Sequence, residues 1–392
     1  MGLSLLDLHF VLLMGLLALA RAWAPARYTL YVGLAGSMLL VGLASISTLG
    51  SIGLISLLYL YPAHRLWVRL RRGGSTRRAR WFLGLSMAGL ILMLVVFKIH
   101  RHFEAAFLGG LWLHNQILTW VGFSYFIFRA IQFLHIQSVT PIDEQRPWPL
   151  LYFMLFPPTL TSGPIQKFQD FREQAASPAR LDGASVGEAC YRITRGYFRK
   201  AVLAFGCDAI VKAMLSAETP RVYSSALVII FLYLYFYFDF AGYSDVAIGF
   251  GSLMGVRVPE NFRKPFLATS VTEFWRNWHI TLVDWFRDNV YIPMGGMRAG
   301  RKEAAGLAFL IMVLCGFWHG LTLGFLAWGC WHGMLLATES LTGSRPMPPS
   351  RRQGWFYWGR VGWTNARVAL GTLFFLPDPQ SVSSVLSGFA RW

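Results

Sequence analysis

Two Trp-His-Gly triplets, Trp318-His319-Gly320 and Trp331-His332-Gly333, lie in a run, residues 304–338, that contains no Asp, Glu, Lys or Arg. At roughly 20 residues per crossing, the run is long enough for two passes through a hydrocarbon layer. An ionisable side chain at that depth costs roughly 3 kcal/mol or more unless it stays neutral or finds a partner, so it marks function by default. Imidazole can sit there neutral and still accept a proton near pH 7. We therefore read His319 as a general base that takes a proton from an acceptor hydroxyl, whose oxygen then attacks a thioester. One positioned histidine is a sufficient minimal device for such acyl transfer. The oxyanion would need donors, which backbone amides at a glycine-broken helix end or the indole N–H of Trp318 would supply. Gly316, Gly320 and Gly324 would let backbone and substrate approach closely.

The other candidates carry less. On a straight helix His332 would stand about 20 Å from His319 and on another face, so a dyad is not assumed and a packed, hydrogen-bonded role is expected for it. Cys315 lies four residues before His319 and would share its face, which allows a Cys-His nucleophilic pair, but a buried thiol in a small-residue helix is ordinarily inert. Cys190, Cys207, Cys315 and Cys330 have neither CxxC spacing nor a histidine cluster, so no disulfide framework or metal site is expected. Glycine-rich nucleotide fingerprints and HExxH are absent too, which argues against redox chemistry, nucleotide hydrolysis and zinc hydrolysis.

The elements that must position these residues are membrane helices. Hydrophobic residues make up 55% of the 392 residues and charged ones only 14%, too few for a soluble globule. The net charge is +17, and the basic residues sit between apolar runs, the pattern of loops facing the cytoplasm and acidic headgroups, so nucleic acid is not the expected partner. The fold expected is all-α and polytopic, with roughly ten to eleven crossings plus re-entrant and amphipathic segments, in one domain over 1–392. Within it, 1–134 are N-terminal helices, 135–340 a catalytic core and 341–392 C-terminal helices.

In chain order, the first apolar stretch is read as a membrane helix ending near Arg21 and Arg27, and uncharged 28–63 as two helices breaking near Gly50 and Gly53. Residues 64–80 carry seven arginines and no acid and read as a cytoplasmic loop. A further span covers 81–97, and 105–134 hold a span or a span plus a partial one. Arg129 there must be paired or face a water-filled cavity. The prolines and glycine of 155–168 forbid one straight helix and suggest a re-entrant turn. Residues 166–200 read as amphipathic surface helices and 222–238 as a span. Asp239, Tyr243, Ser244 and Asp245 interrupt the apolar background after it, the two acids pairing with bases such as Arg263 or Arg276, or lining a cavity. Trp275, Trp278 and Trp285 suit an interface.

Several strings resemble the membrane-bound O-acyltransferase (MBOAT) family: FDFAGYSDVAIGFGSLMGVRVPENFRKPF, TEFWRNWHITLVDWFRDNVYIPMGG and GFWHGLTLGFLAWGCWHG, with GFSYFIFRAIQ and FPPTLTSGPIQKFQDF upstream. Within the family FRAIQ, TLTSGPI and WHGLT are similar to the DltB-like group of teichoic-acid D-alanylation, and WFRDNVYIPMGG to the AlgI-like polysaccharide O-acetyltransferases. The resemblance implies a ring of helices around a funnel, His319 as the catalytic histidine and His279 as the second family histidine. Trp318, Asp239, Tyr243, Ser244, Trp278, Arg276 and His332 are the candidate substrate- or tunnel-lining residues. It implies no permanently bound cofactor or metal. The donor would be a phosphopantetheine thioester on an acyl carrier protein at the cytoplasmic face, or acyl-CoA. The acceptor would be a hydroxyl of an extracytoplasmic polymer or an acceptor protein, and the chain would sit among lipids of the bacterial inner membrane. A transporter of an envelope precursor that makes no bonds is the alternative of another class, since broken helices and buried charges fit both.

Overall fold

The computed structural model describes residues 8–107, 122–139, 146–177, 182–216, 222–376 and 379–389. Part of the 105–134 stretch, read as a span or a span plus a partial one, lies outside them. The described secondary structure is helical apart from one isolated bridge between Phe262 and Trp278. Five helices among the described residues are long and apolar enough to cross a membrane: Ala26–Ala44, Ile46–Arg72, Thr76–His100, Val222–Leu253 and Arg301–His319. Two shorter apolar helices are His9–Trp23 and Phe123–Ile136. Among the described residues these seven stand beside the ten to eleven crossings expected, and much of the intervening chain is folded as short pieces.

The chain divides into two compact units, one formed by 1–195 with 244–259, the other by 196–243 with 260–392. The first begins with α1 (Leu8–Trp23), α2 (Thr29–Ala44), α3 (Ile46–Arg72) and α4 (Thr76–Phe107). Leu39, Ile46, Leu58, Leu85 and Leu92 are exposed on these helices, an outward apolar surface that suits lipid. The break expected near Gly50 and Gly53 falls at Ser45 instead. Its extended backbone ends α2, and its Oγ accepts the Thr48 N–H at 3.2 Å to start α3, so the side chain satisfies an orphan donor that glycine could not. The arginine-rich stretch 64–80 is not a loop either: the helices run to Arg72 and resume at Thr76, leaving only a short turn with Gly74 at φ 76°.

α5 (Phe123–Val139) carries Arg129, which is buried to 1% exposure. It meets α6 (Trp148–Leu155), which stops before Pro157 and Pro158. The stopped helix leaves carbonyls without partners. Arg129 fills that role: its Nη1 donates to the Phe153 carbonyl and its Nη2 to the Met154 carbonyl, both at 3.0 Å. The broken backbone expected over 155–168 is thus present and buried, and the arginine beside it is paired with main chain. Arg21, fully buried, does the same for α7 (Phe168–Ala175), donating from Nη2 to the Ala175 carbonyl at 2.7 Å. α8 (Gly183–Phe198) follows, then a π-helical turn, Arg199–Ala204, and α9 (Phe205–Leu215).

α10 (Val222–Leu253) is one continuous 32-residue helix, so the polar residues after 238 do not interrupt it. Partners for its acids come from α8 and the π-helical turn after it rather than from Arg263 or Arg276. In the first unit Asp245 accepts from Arg192 Nε at 2.8 Å and Arg195 Nη2 at 2.7 Å. In the second, Asp239 pairs with Lys200. Removing an acid's unpaired charge in this way removes the reason for the helix to break. Gly242 lets α10 sit close to its neighbour, since a Cβ there would stand 2.7 Å from the Gly196 carbonyl oxygen. The remaining helices are α11 (Val271–Asn277), α12 (Ile280–Phe286), α13 (Arg301–His319), α14 (Leu323–Thr342), α15 (Gly354–Gly371) and α16 (Pro379–Gly388).

Replacing Arg129 by Leu strands two buried carbonyls. We expect it to cost roughly 2–4 kcal/mol, read as a lowered melting temperature in detergent. An unchanged melting temperature would contradict the capping role.

Candidate active site

His319 is the last residue of α13. The helix ends there because Gly320 turns extended while its N–H still reaches the Gly316 carbonyl at 3.1 Å. After the turn, Thr322 starts α14, its Oγ1 accepting the Phe325 N–H at 3.3 Å. The two helices lie against each other backbone to backbone. A Cβ at Gly329 would stand 2.7 Å from the Met312 carbonyl oxygen and 3.0 Å from the Val313 Cα, and one at Gly316 would overlap the Phe325 carbonyl oxygen. Gly316, Gly320 and Gly324 were expected to let backbone and substrate approach closely, and the structure shows what approaches each: backbone at Gly316 and Gly324 and a ring at Gly320. Gly316 admits the partner helix, Gly320 receives the Phe325 ring, and Gly324 faces the Phe374 carbonyl.

This hairpin sets the His319 ring among four aromatic rings. Ring centroids lie at 4.6 Å for Trp318, 5.2 Å for Trp328, 5.4 Å for Phe375 and 5.8 Å for Phe325. The packing fixes the imidazole plane, yet the residue stays half-buried rather than sealed. Phe375 has no polar neighbour in sequence to announce it, and only the fold brings it here.

His279 joins α11 to α12 and lies fully inside, 5% exposed, with a left-handed backbone at φ 47°. Its ring is 4.5 Å from Phe240. The Trp318 indole lies beside both histidines, 4.6 Å from His319 and 6.5 Å from His279. Two residues forty positions apart thus meet around one indole.

A family model described as "MBOAT, membrane-bound O-acyltransferase family" matches residues 109–366, which include His279, His319 and His332. The chain belongs to the membrane-bound O-acyltransferase family. It is 33% identical over 349 residues to a probable alginate O-acetylase, AlgI, of Pseudomonas fluorescens, covering 86% of this chain and 68% of that one. A second AlgI, of Pseudomonas putida, is 33% identical over 71% of this chain and 59% of its own length. A teichoic acid D-alanyltransferase of Streptococcus thermophilus is 31% identical over 72% of this chain and 69% of its own. The alignment thus spans less than two thirds of the Pseudomonas putida relative and slightly more than two thirds of the other two. Family membership and the apolar helices together make this a membrane protein.

The other site candidates of this O-acyltransferase family member are placed variously. His332 is buried at 2%, 5.2 Å from Trp275 and 5.0 Å from Trp328, so Trp328 stands between it and His319. It is packed, as expected, and its Nδ1 has no hydrogen-bond partner among the described residues. Trp278 stacks with Phe274 at 5.3 Å and meets Phe262 edge-on at 5.1 Å, within an aromatic cluster that also holds Tyr233 and Tyr237. Asp239 is half-exposed and held by Lys200. Tyr243 is buried in α10, Ser244 is buried in the first unit, and Arg276 is exposed. Cys315 is buried at 4%.

Two acids that sequence reasoning passed over hold α11, the helix leading to His279. Glu339 of α14 accepts the Val271 and Thr272 N–H groups, both at 2.8 Å, and the Thr272 hydroxyl at 2.9 Å. Glu273 accepts the Thr269 N–H and hydroxyl, both at 2.8 Å, and pairs with Arg352 at 2.5 Å. Ser270 caps the same helix by accepting the Glu273 N–H at 3.1 Å. The spacing Ser270-Val-Thr-Glu273 is that of a capping box and was open to reading. Glu339 had no such local signal.

Burial pushes the Glu273 carboxyl up, but the Thr269 hydrogen bonds and the Arg352 guanidinium outweigh it and hold the group below its ordinary value of 4.5. A depressed folded value means stability that is fully present above the ordinary value and lost as pH falls through the folded one. Wild type should therefore melt above Glu273→Gln at pH 7, and the gap should close as pH drops below about 4.5. A gap of constant size from pH 7 to pH 3 would contradict this.

Proposed function

We propose that this chain transfers a small acyl group from a cytoplasmic thioester donor to a hydroxyl of a cell-envelope polymer, with His319 as the general base. The observation that carries the reading is the placement of His319: a half-buried imidazole at a broken helix end, framed by aromatic rings and sharing the Trp318 indole with His279. The imidazole takes the proton of the acceptor hydroxyl as its oxygen bonds to the thioester carbonyl carbon. The oxyanion so formed collapses, the carbon–sulfur bond breaks, and the proton passes from the imidazolium to the departing thiolate. His279 would bind or orient one of the two reactants beside Trp318.

Acetyl is the acyl group we favour. The relative that matches over 86% of this chain is named an alginate O-acetylase, whereas the match to the D-alanyltransferase covers 72%. D-alanyl transfer remains the second reading, since that relative matches at nearly the same identity. The donor would be an acetyl or D-alanyl thioester of phosphopantetheine on a carrier protein, or acyl-CoA. The seven arginines of 64–80 support a negatively charged partner at that face. The host membrane would be the bacterial inner membrane.

The test is mass spectrometry of alkali-labile acyl esters from the envelope of the native host. His319→Ala should remove the esters, a loss of at least about 100-fold, while the protein remains inserted at wild-type amount. Acetate released would assign acetyl transfer and D-alanine the second reading. Wild-type ester content in His319→Ala would overturn the assignment.

A further inference from the structure

An N-terminal cap ordinarily comes from the side chain of the residue that begins a helix, which accepts the N–H of the second or third residue in. His279 occupies that position for α12 and its side chain makes no such bond. The first two amides are taken instead from across the chain by Asn261. Its main-chain carbonyl accepts the Ile280 N–H at 3.0 Å. Its side-chain Oδ1 accepts the Thr281 N–H at 3.3 Å and the Thr281 hydroxyl at 2.7 Å. Asn261 is fully buried, and the bridge between Phe262 and Trp278 fixes its register, with the Arg263 N–H donating to the Asn277 carbonyl at 3.0 Å.

Two details sharpen the point. His279 is left-handed at φ 47°, a conformation that non-glycine residues adopt only when their surroundings impose it. The only other described non-glycine residue with positive φ is Lys264, on the other side of the same clip. The segment 261–264 and the segment 277–281 therefore hold each other in an uncommon backbone arrangement. Its product is an imidazole that is not spent on capping and that points at Phe240 and Trp318.

We propose that Asn261 is a positioning residue: it caps α12 in place of His279 and so holds the His279 imidazole beside Phe240 and Trp318. The inference rests on the reading of His279 as part of the acyl-transfer site. Asn261 touches no reacting atom in this scheme. It acts by taking up the two amides that would otherwise draw the His279 ring, or water, toward the helix end.

The experiment uses the full-length protein in its native host, with envelope esters read by mass spectrometry per molecule of inserted protein, and amide hydrogen exchange on the purified protein. Asn261→Ala should lower ester content per inserted molecule at least tenfold and speed exchange at Ile280 and Thr281, with α13 and α14 unchanged. Asn261→Asp, which keeps the acceptor oxygen for the same donors, should recover at least half of the esters. His279→Ala is the control that separates two failures. Full ester content in His279→Ala would remove the reading on which the inference stands. Loss in His279→Ala with full content in Asn261→Ala would overturn the inference alone. A loss in Asn261→Ala that Asn261→Asp does not recover, with exchange accelerated throughout the second unit, would make Asn261 merely structural and also overturn it.

Discussion

The α13–α14 hairpin depends on glycine, both where the first helix ends and where the second packs against it. Gly320 ends the helix at His319 while still bonding back to Gly316. Gly316 and Gly329 let the second helix lie directly on the first. Without a hydrophobic driving force between helices in lipid, such close backbone contact is a principal source of adhesion. The place of the histidine follows from it. An imidazole in mid-helix would project into neighbouring side chains, whereas one at the end of a helix stands at the rim of the packed layer, framed by Trp328 and Phe325 from the returning helix.

Elsewhere the need for satisfied main chain is met by charge. Arg129 and Arg21 donate to the carbonyls at the ends of α6 and α7. Glu339 and Glu273 accept from amides at and before the start of α11. Asn261 takes those at the start of α12. Short broken helices within a membrane fold carry more orphan groups per residue than long spans do. Here buried polar side chains take up that excess, and several of them act on the segments that carry His279.

How far the sequence foretold this depends on the range of each interaction. The Trp-His-Gly triplets, the charge-free run around them and the proline-broken segment near 157 are local patterns, and each has its counterpart in the structure. Arg129 was legible as a residue that must be paired or face a water-filled cavity, because an unpaired cation in an apolar run is untenable. Its carbonyl partners on α6 were not, since nothing in sequence marks a main-chain acceptor. For Asp239 and Asp245 the candidate partners in sequence, Arg263 and Arg276, lie some twenty to forty residues downstream, and the structure supplies Lys200, Arg192 and Arg195 from upstream. Phe375, Glu339 and Asn261 reach the histidines only through tertiary contact. Gly50 and Gly53 misled because a glycine in a helix is tolerated more readily than an uncapped helix start, and Ser45 provided the cap.

The claim that bears most weight is that the His319 imidazole itself carries the proton in acyl transfer. Chemical rescue tests it most directly. Purified His319→Ala protein, given an acetyl thioester donor and an envelope polysaccharide acceptor, should form no ester alone. Ester formation should return on adding free imidazole, in proportion to its neutral form. Ester formed by His319→Ala at the wild-type rate without imidazole would contradict the account.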